Sequence, residues 1–168
     1  MAEGKGSAVI YMLRTAQQHH VQLSMMADQK ASALLAACFV TLSISVAYVS
    51  NHQPSLALLV IMAFAVLSAF FAAFAVMPRI HWRKAPGTPR NLLFFGDFAD
   101  LSLNQYLTET KPLLSSDEAA YEAILEDIWC LGQVLMKRKY RFLALAYRCF
   151  ILGLLAAPLA WALEYGLK

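Results

Sequence analysis

Two stretches of this chain run uncharged for long enough to cross a bilayer, and a third carries a single charge. Residues 31–49 (ASALLAACFVTLSISVAYV) and 55–77 (SLALLVIMAFAVLSAFFAAFAVM) hold no Asp, Glu, Lys or Arg, and residues 142–163 (FLALAYRCFILGLLAAPLAWAL) hold only Arg148. An α-helix rises about 1.5 Å per residue, so residues 31–49 reach roughly 28 Å, close to a hydrocarbon core of ~30 Å. Composition agrees, with 60% of the 168 residues hydrophobic and 15% charged, against about 45–50% and about 25% in soluble domains. The expected fold class is all-α: an integral membrane three-helix bundle with cytoplasmic helical extensions.

The third segment is the least regular, because Pro158 and Arg148 interrupt it. An arginine at a helix centre costs about 2.5–3.5 kcal/mol on insertion scales, and less near one end, where it can reach the headgroups. Asn51-His52-Gln53-Pro54 forms a tight polar turn after the first span, and Pro78-Arg79 ends the second. The first apolar run begins near residue 31 without a signal-peptide pattern before it, so the first spanning helix is expected to direct targeting. Lysine and arginine set orientation. They cluster at Lys5, Arg14 and Lys30, and again at Arg79, Arg83, Lys84, Arg90, Lys111, Lys137, Arg138, Lys139 and Arg141, whereas the 51–54 turn has none and the C-terminal end has only Lys168. The expected division is a cytoplasmic N-terminal helix (1–30), spans at 31–49, 55–77 and 142–163, and a cytoplasmic loop with helices (78–141). The 51–54 turn and the C-terminus then face outward. Tyr48, Trp82, Trp161 and Tyr165 lie near the expected interfaces, where amphipathic rings settle.

The polar parts carry helical signals of their own. Val9, Leu13, Ala16, His20, Leu23 and Ala27 recur at three- and four-residue steps, which marks one helix face. With no breaker before the first span, one continuous helix is expected from about residue 8 to 49. Residues 97–109 read as a short amphipathic helix, ended by Lys111-Pro112. Ser115 and Glu118 are spaced as a capping box, opening a helix with Tyr121, Ile124, Ile128, Leu131 and Leu135 on one face. That helix runs without a breaker into the third span. Two long helices that pass from cytoplasm into membrane would form a rigid route for a shape change. Small residues at four-residue steps, Ala65-Ala69-Ala73 and Gly153-Ala157, would let helices approach closely within one bundle or between subunits.

Catalytic chemistry is not expected. No Ser/His/Asp or Cys/His arrangement and no glycine-rich phosphate loop is present, and the adjacent Glu126 and Asp127 point to different helix faces. His19-His20 lack a carboxylate at helical ligand spacing, so no metal is expected. Three widely spaced cysteines (Cys38, Cys130, Cys149) make no disulfide framework, and a net charge of +3 gives no case for nucleic acid. The least ordinary stretch is Arg90-Asn91-Leu92-Leu93-Phe94-Phe95-Gly96-Asp97, which follows Pro86-Gly87-Thr88-Pro89. Arginine can grip a phosphate bidentately, an amide can read a base edge, and a phenyl face can stack on a base. The same residues would also serve a loop anchored by its phenylalanines to the bundle or the membrane surface.

Three segments in order, ADQKASALL (27–35), NLLFFGDFADLSLNQYL (91–107) and YEAILEDIWCLGQVLMKRKYRFLALAY (121–147), resemble the transmembrane effector family of bacterial Pycsar antiphage defence. The resemblance covers most of the chain after about residue 17. It implies an inner-membrane effector, which with the lysine and arginine distribution is expected to be multi-pass with a cytoplasmic N-terminus and a periplasmic C-terminus. Such an effector is paired with a pyrimidine nucleotide cyclase that makes cUMP or cCMP, answers that cyclic nucleotide second messenger, and impairs the membrane so that infection aborts. A homo-oligomer in the lipid bilayer is expected, with no cofactor beyond the nucleotide ligand. The expected ligand contacts are Arg90 to the cyclic phosphate, Asn91 to the base edge and Phe94 or Phe95 to the base face, with Asp28 and Lys30 closing the site. Where relatives carry an Asn-Gly pair in the first span, this chain has Ala36-Ala37-Cys38-Phe39. Two alternatives stand beside this reading: gating by a cyclic oligonucleotide of a related defence system, and a non-gated membrane scaffold.

Overall fold

The computed structural model describes residues 2–77 and 90–166, with residues 2–5 by backbone alone. The expectations placed on Lys5, Pro78, Arg79, Trp82, Arg83, Lys84, the Pro86–Pro89 loop and Lys168 lie outside what is described. Of the described residues 88% are helical, and none lies in a strand. Six α-helices follow in order among the described residues: α1 (Ala2–Val49), α2 (Leu56–Val76), α3 (Phe95–Phe98), α4 (Leu103–Thr110), α5 (Asp117–Val134) and α6 (Arg141–Gly166). A 3-10 turn (Lys111–Leu114) follows α4, and a π-helical turn (Leu135–Tyr140) carries α5 into α6. Helix is therefore continuous from Asp117 to Gly166. Gly6–Val49, Leu56–Val76 and Asp117–Gly166 are each long and apolar enough to cross a membrane.

Local sequence explains most of the helix ends. α1 closes at Val49 in a turn held by Ser50, Asn51 and His52 N–H groups donating to Val46 and Tyr48 carbonyls. Ser55 caps α2 by accepting the Leu58 N–H at 3.3 Å. The expected single helix over 97–109 is instead two, because Ser102 and Gln105 form a reciprocal capping box that starts α4 afresh. The cap of α5 is Ser116, one residue later than expected, accepting the Ala119 N–H at 3.2 Å. Ser115 is diverted: its hydroxyl donates to the Pro112 carbonyl at 2.6 Å.

The chain forms two compact units, one of Met1–Leu23 with Pro78–Leu135 and the other of Ser24–Met77 with Met136–Lys168. In the second unit α2 packs along α6, with the later part of α1 joining them. Its core is built from small side chains. Ala27, Ala31, Ala75 and Leu143 make one cluster, and Leu34, Cys38, Ala72 and Ala146 another. The bulky residues point outward: Phe39 is 71% exposed, Leu155 62% and Trp161 55%. A water-soluble fold buries its large apolar groups. The opposite arrangement suits lipid, where tails solvate the outer face and small residues bring helix backbones together. The protein is a membrane protein built from apolar helices.

Close approach is visible at two points. Ser68, fully buried, donates across to the Ala146 carbonyl at 2.8 Å. A Cβ at Gly153 would stand 2.6 Å from Phe64 Cβ, so only glycine fits there. The small-residue line of α2 is Ala65, Ser68, Ala72 and Ala75, whereas Ala73 is exposed. Strict four-residue steps drift around a helix of 3.6 residues per turn, and alternating steps of three and four hold one face. At the far end, the Glu164 carboxylate accepts the orphan Leu56 N–H at 2.9 Å, an anion at a helix N-terminus.

Candidate functional site

In the first unit, the turn at 90–94 and the short α3 pack with α4, α5 and the N-terminal part of α1. Leu13 and Leu92 are buried here, and the Phe98 and Tyr106 rings lie 4.8 Å apart. His20, on the expected α1 face, bonds the Ala16 carbonyl at 2.9 Å. Gly132 faces its ring at ordinary contact distance, where an added Cβ would lie 3.5 Å from Nε2.

The polar centre of this unit is Asp127, only 4% exposed. Its Oδ1 accepts from the Asn91 amide at 2.7 Å and its Oδ2 from the Gln17 amide at 2.6 Å. Buried carboxylates persist only where donors meet them. One side chain of α5 thus ties α1 to the 90–94 turn. The turn is organised by its own residues as well. Asn91 Oδ1 accepts the Leu93 N–H at 3.0 Å, and Asp97 Oδ2 accepts the Asn91 N–H at 3.0 Å.

Arg90 closes the other side of the turn. Its Nη1 donates to Asp100 Oδ1 at 2.7 Å and to the Asp97 carbonyl at 3.1 Å. The hydrogen bond that it donates to Asp100 holds the guanidinium above its ordinary range, and an arginine is cationic throughout the physiological pH span. Phe94 and Phe95 rings lie 5.0 Å apart at 50°. Phe94 is half-buried over Gly96, where an added Cβ would meet its Cε1 at 2.5 Å, while Phe95 is 69% exposed. The turn therefore presents a fixed cation and an open aromatic face.

Four of the six expected site residues, Arg90, Asn91, Phe94 and Phe95, come together here. Asn91 is 8% exposed, with its amide engaged by Asp127 and Leu93, so it shapes the turn rather than facing outward. Asp28 and Lys30 belong to the second unit and have contacts of their own. Lys139 Nζ donates to both Asp28 oxygens at 2.7 and 2.6 Å and to Ser24 Oγ at 2.8 Å. Lys30 is exposed beside Tyr140 and Tyr147. Gln17 and Asp127 were not among the expected site residues. The available signal was a polar residue on each apolar face: Gln17 between Leu13 and His20, and Asp127 between Ile124 and Leu131.

No group of three His, Cys, Asp or Glu converges as metal ligands among the described residues. In comparison with known proteins, residues 11–166 match a family described as the Pycsar effector protein domain. No curated protein and no solved structure gives a significant match.

Proposed function

This chain belongs to the Pycsar effector protein domain family and has a role in Pycsar antiphage defence, and we propose that it is the component that turns a cyclic pyrimidine mononucleotide into membrane damage. The signal is cUMP or cCMP from a partner pyrimidine nucleotide cyclase. The outcome is loss of inner-membrane integrity and abortive infection. The observation that carries this reading is the family match over residues 11–166, which spans both compact units. The protein acts by binding, not catalysis, as a homo-oligomer with its N-terminus cytoplasmic and its C-terminus periplasmic.

The chemistry of the 90–97 turn supports a nucleotide contact. A cyclic mononucleotide carries one negative phosphodiester and one flat base. Arg90 supplies a permanent cation whose described bonds both leave through Nη1. A phosphodiester would compete with Asp100 for it, and charge-assisted bidentate pairing favours the exchange. Phe95 offers the base an exposed face. Asn91 is a positioning residue that fixes Arg90 and Phe94 through Asp127 and Asp97. Gating needs differential affinity: a ligand bound equally in both states shifts nothing, and a switch from 1:99 to 99:1 takes about 5.5 kcal/mol.

The test is dye release from proteoliposomes given cCMP and cUMP separately, with Arg90→Ala in parallel. Release on one nucleotide and its loss in Arg90→Ala supports the reading. Release indifferent to nucleotide overturns gating and favours a scaffold or constitutive pore. Unchanged nucleotide affinity in Arg90→Ala removes Arg90 from the site.

A further inference from the structure

The second unit carries a groove of about 360 Å³ lined by Lys30 of α1, Tyr140 of the π-helical turn, and Leu143, Ala144 and Tyr147 of α6. Its lining changes character along its length. Lys30 immediately precedes the uncharged run 31–49, and Tyr140 precedes the apolar run 142–163, whereas Leu143 and Ala144 lie inside the latter. One end thus offers an ammonium beside two tyrosine rings, and the other offers hydrocarbon.

Two cations at or beside this groove have no anion among the described residues. Lys30 is exposed, and among the described residues its ammonium has no ion-pair or hydrogen-bond partner. The carboxylate nearest to it in sequence, Asp28, is already occupied by Lys139 on both oxygens. Arg148, also exposed, follows Tyr147 directly and stands one turn on from Ala144. It too has no described partner, although it lies within an apolar segment where an unpaired charge is expensive. Tyr147 spans from α6 to α1, its hydroxyl donating to the Lys30 carbonyl at 3.3 Å. This contact fixes the backbone that carries the ammonium and leaves the side chain free to point along the groove.

We propose that this groove binds the phosphate head of an anionic glycerophospholipid. The phosphate pairs with Lys30 beside the two tyrosines, Arg148 neutralises charge along the flank, and an acyl chain lies on Leu143 and Ala144. The lipid supplies the anion that the described residues do not, at the depth where the helix surface turns from polar to apolar. An aqueous anion would leave the hydrocarbon end of the groove unsatisfied. This site is independent of the nucleotide contact assigned to the 90–97 turn.

The experiment is native mass spectrometry of the full chain in neutral detergent. Dioleoyl phosphatidylglycerol and dioleoyl phosphatidylcholine are added at equal concentration, with separate arms of inorganic phosphate, cCMP and cUMP. The phosphatidylglycerol adduct is expected to be preferred. Lys30→Gln and Arg148→Gln should each weaken it about five- to tenfold, and Lys30→Arg should retain it. Both residues are exposed, and an unchanged melting temperature in detergent checks that each variant is folded. Equal retention of the two lipids, or indifference to both glutamine variants, overturns the proposal. Displacement of the lipid by inorganic phosphate reassigns the groove to a free anion, and displacement by cCMP or cUMP reassigns it to the nucleotide. Nucleotide-dependent dye release is a separate readout, so failure here leaves the proposed function standing, and the converse holds.

Discussion

At the scale of single residues, the unit that carries the candidate site depends on one carboxylate met by two amides. Asp127→Ala would leave the Asn91 and Gln17 amides facing a buried gap. An unsatisfied buried donor costs about 1–3 kcal/mol, so the loss should total about 2–4 kcal/mol. A thermal melt in detergent would read it as a clear fall in midpoint for Asp127→Ala and a smaller one for Asp127→Asn, which keeps an acceptor. An unchanged midpoint would mean that the trio does not hold the turn. The sequence places Asp127 on a different face from Glu126, and the structure agrees, with Asp127 buried and Glu126 exposed. What the sequence could not supply was its partners. Asn91 and Gln17 lie 36 and 110 residues away in the chain, and no local pattern encodes a contact of that separation. Asn91 looked outward-facing for the same reason: an amide in a turn reads as free until its tertiary acceptor is known.

At the scale of elements, the helices were legible because uncharged length and three- and four-residue periodicity are local properties. The cap of α5 was legible to within one residue, whereas the fresh start at Ser102 that divides 97–109 was not. Two adjacent serines compete for the start of α5, and Pro112 decides between them by taking the Ser115 hydroxyl. Ser116→Ala should therefore lower stability by about 1 kcal/mol, and Ser115→Ala by clearly less. Denaturant titration of the two variants side by side would show the difference, and equal effects would reinstate Ser115 as the cap. Packing between α2 and α6 gives a sharper test. At Gly153 a new side chain meets the rigid Cβ of Phe64, so the helices must part. Gly153→Val should cost about 1–3 kcal/mol, visible as a lowered unfolding midpoint, whereas the same change at the exposed Ala73 should be nearly silent.

At the scale of the whole molecule, lipid as solvent was legible in the composition alone, and orientation was expected from the lysines and arginines. That orientation is open to a direct check. In a chain freed of its three native cysteines, Asn51→Cys should react with a membrane-impermeant thiol reagent added outside intact cells whose outer membrane has been permeabilised. Thr108→Cys should react only after the inner membrane is opened. Reaction of both from outside would reverse the assignment. The choice of alanine and glycine for the inside of the apolar unit, with phenylalanine and leucine outside, carries a further implication for how such a chain can change. Its outer surface is a liquid contact that accepts almost any greasy side chain. Its interior holds Ala31, Ala72 and Ala146 wholly out of reach of solvent, and at Gly153 even a methyl group must displace a neighbouring helix. Evolutionary drift in this unit is therefore confined to the side that faces the tails, and the least conspicuous residues are the ones that hold its shape.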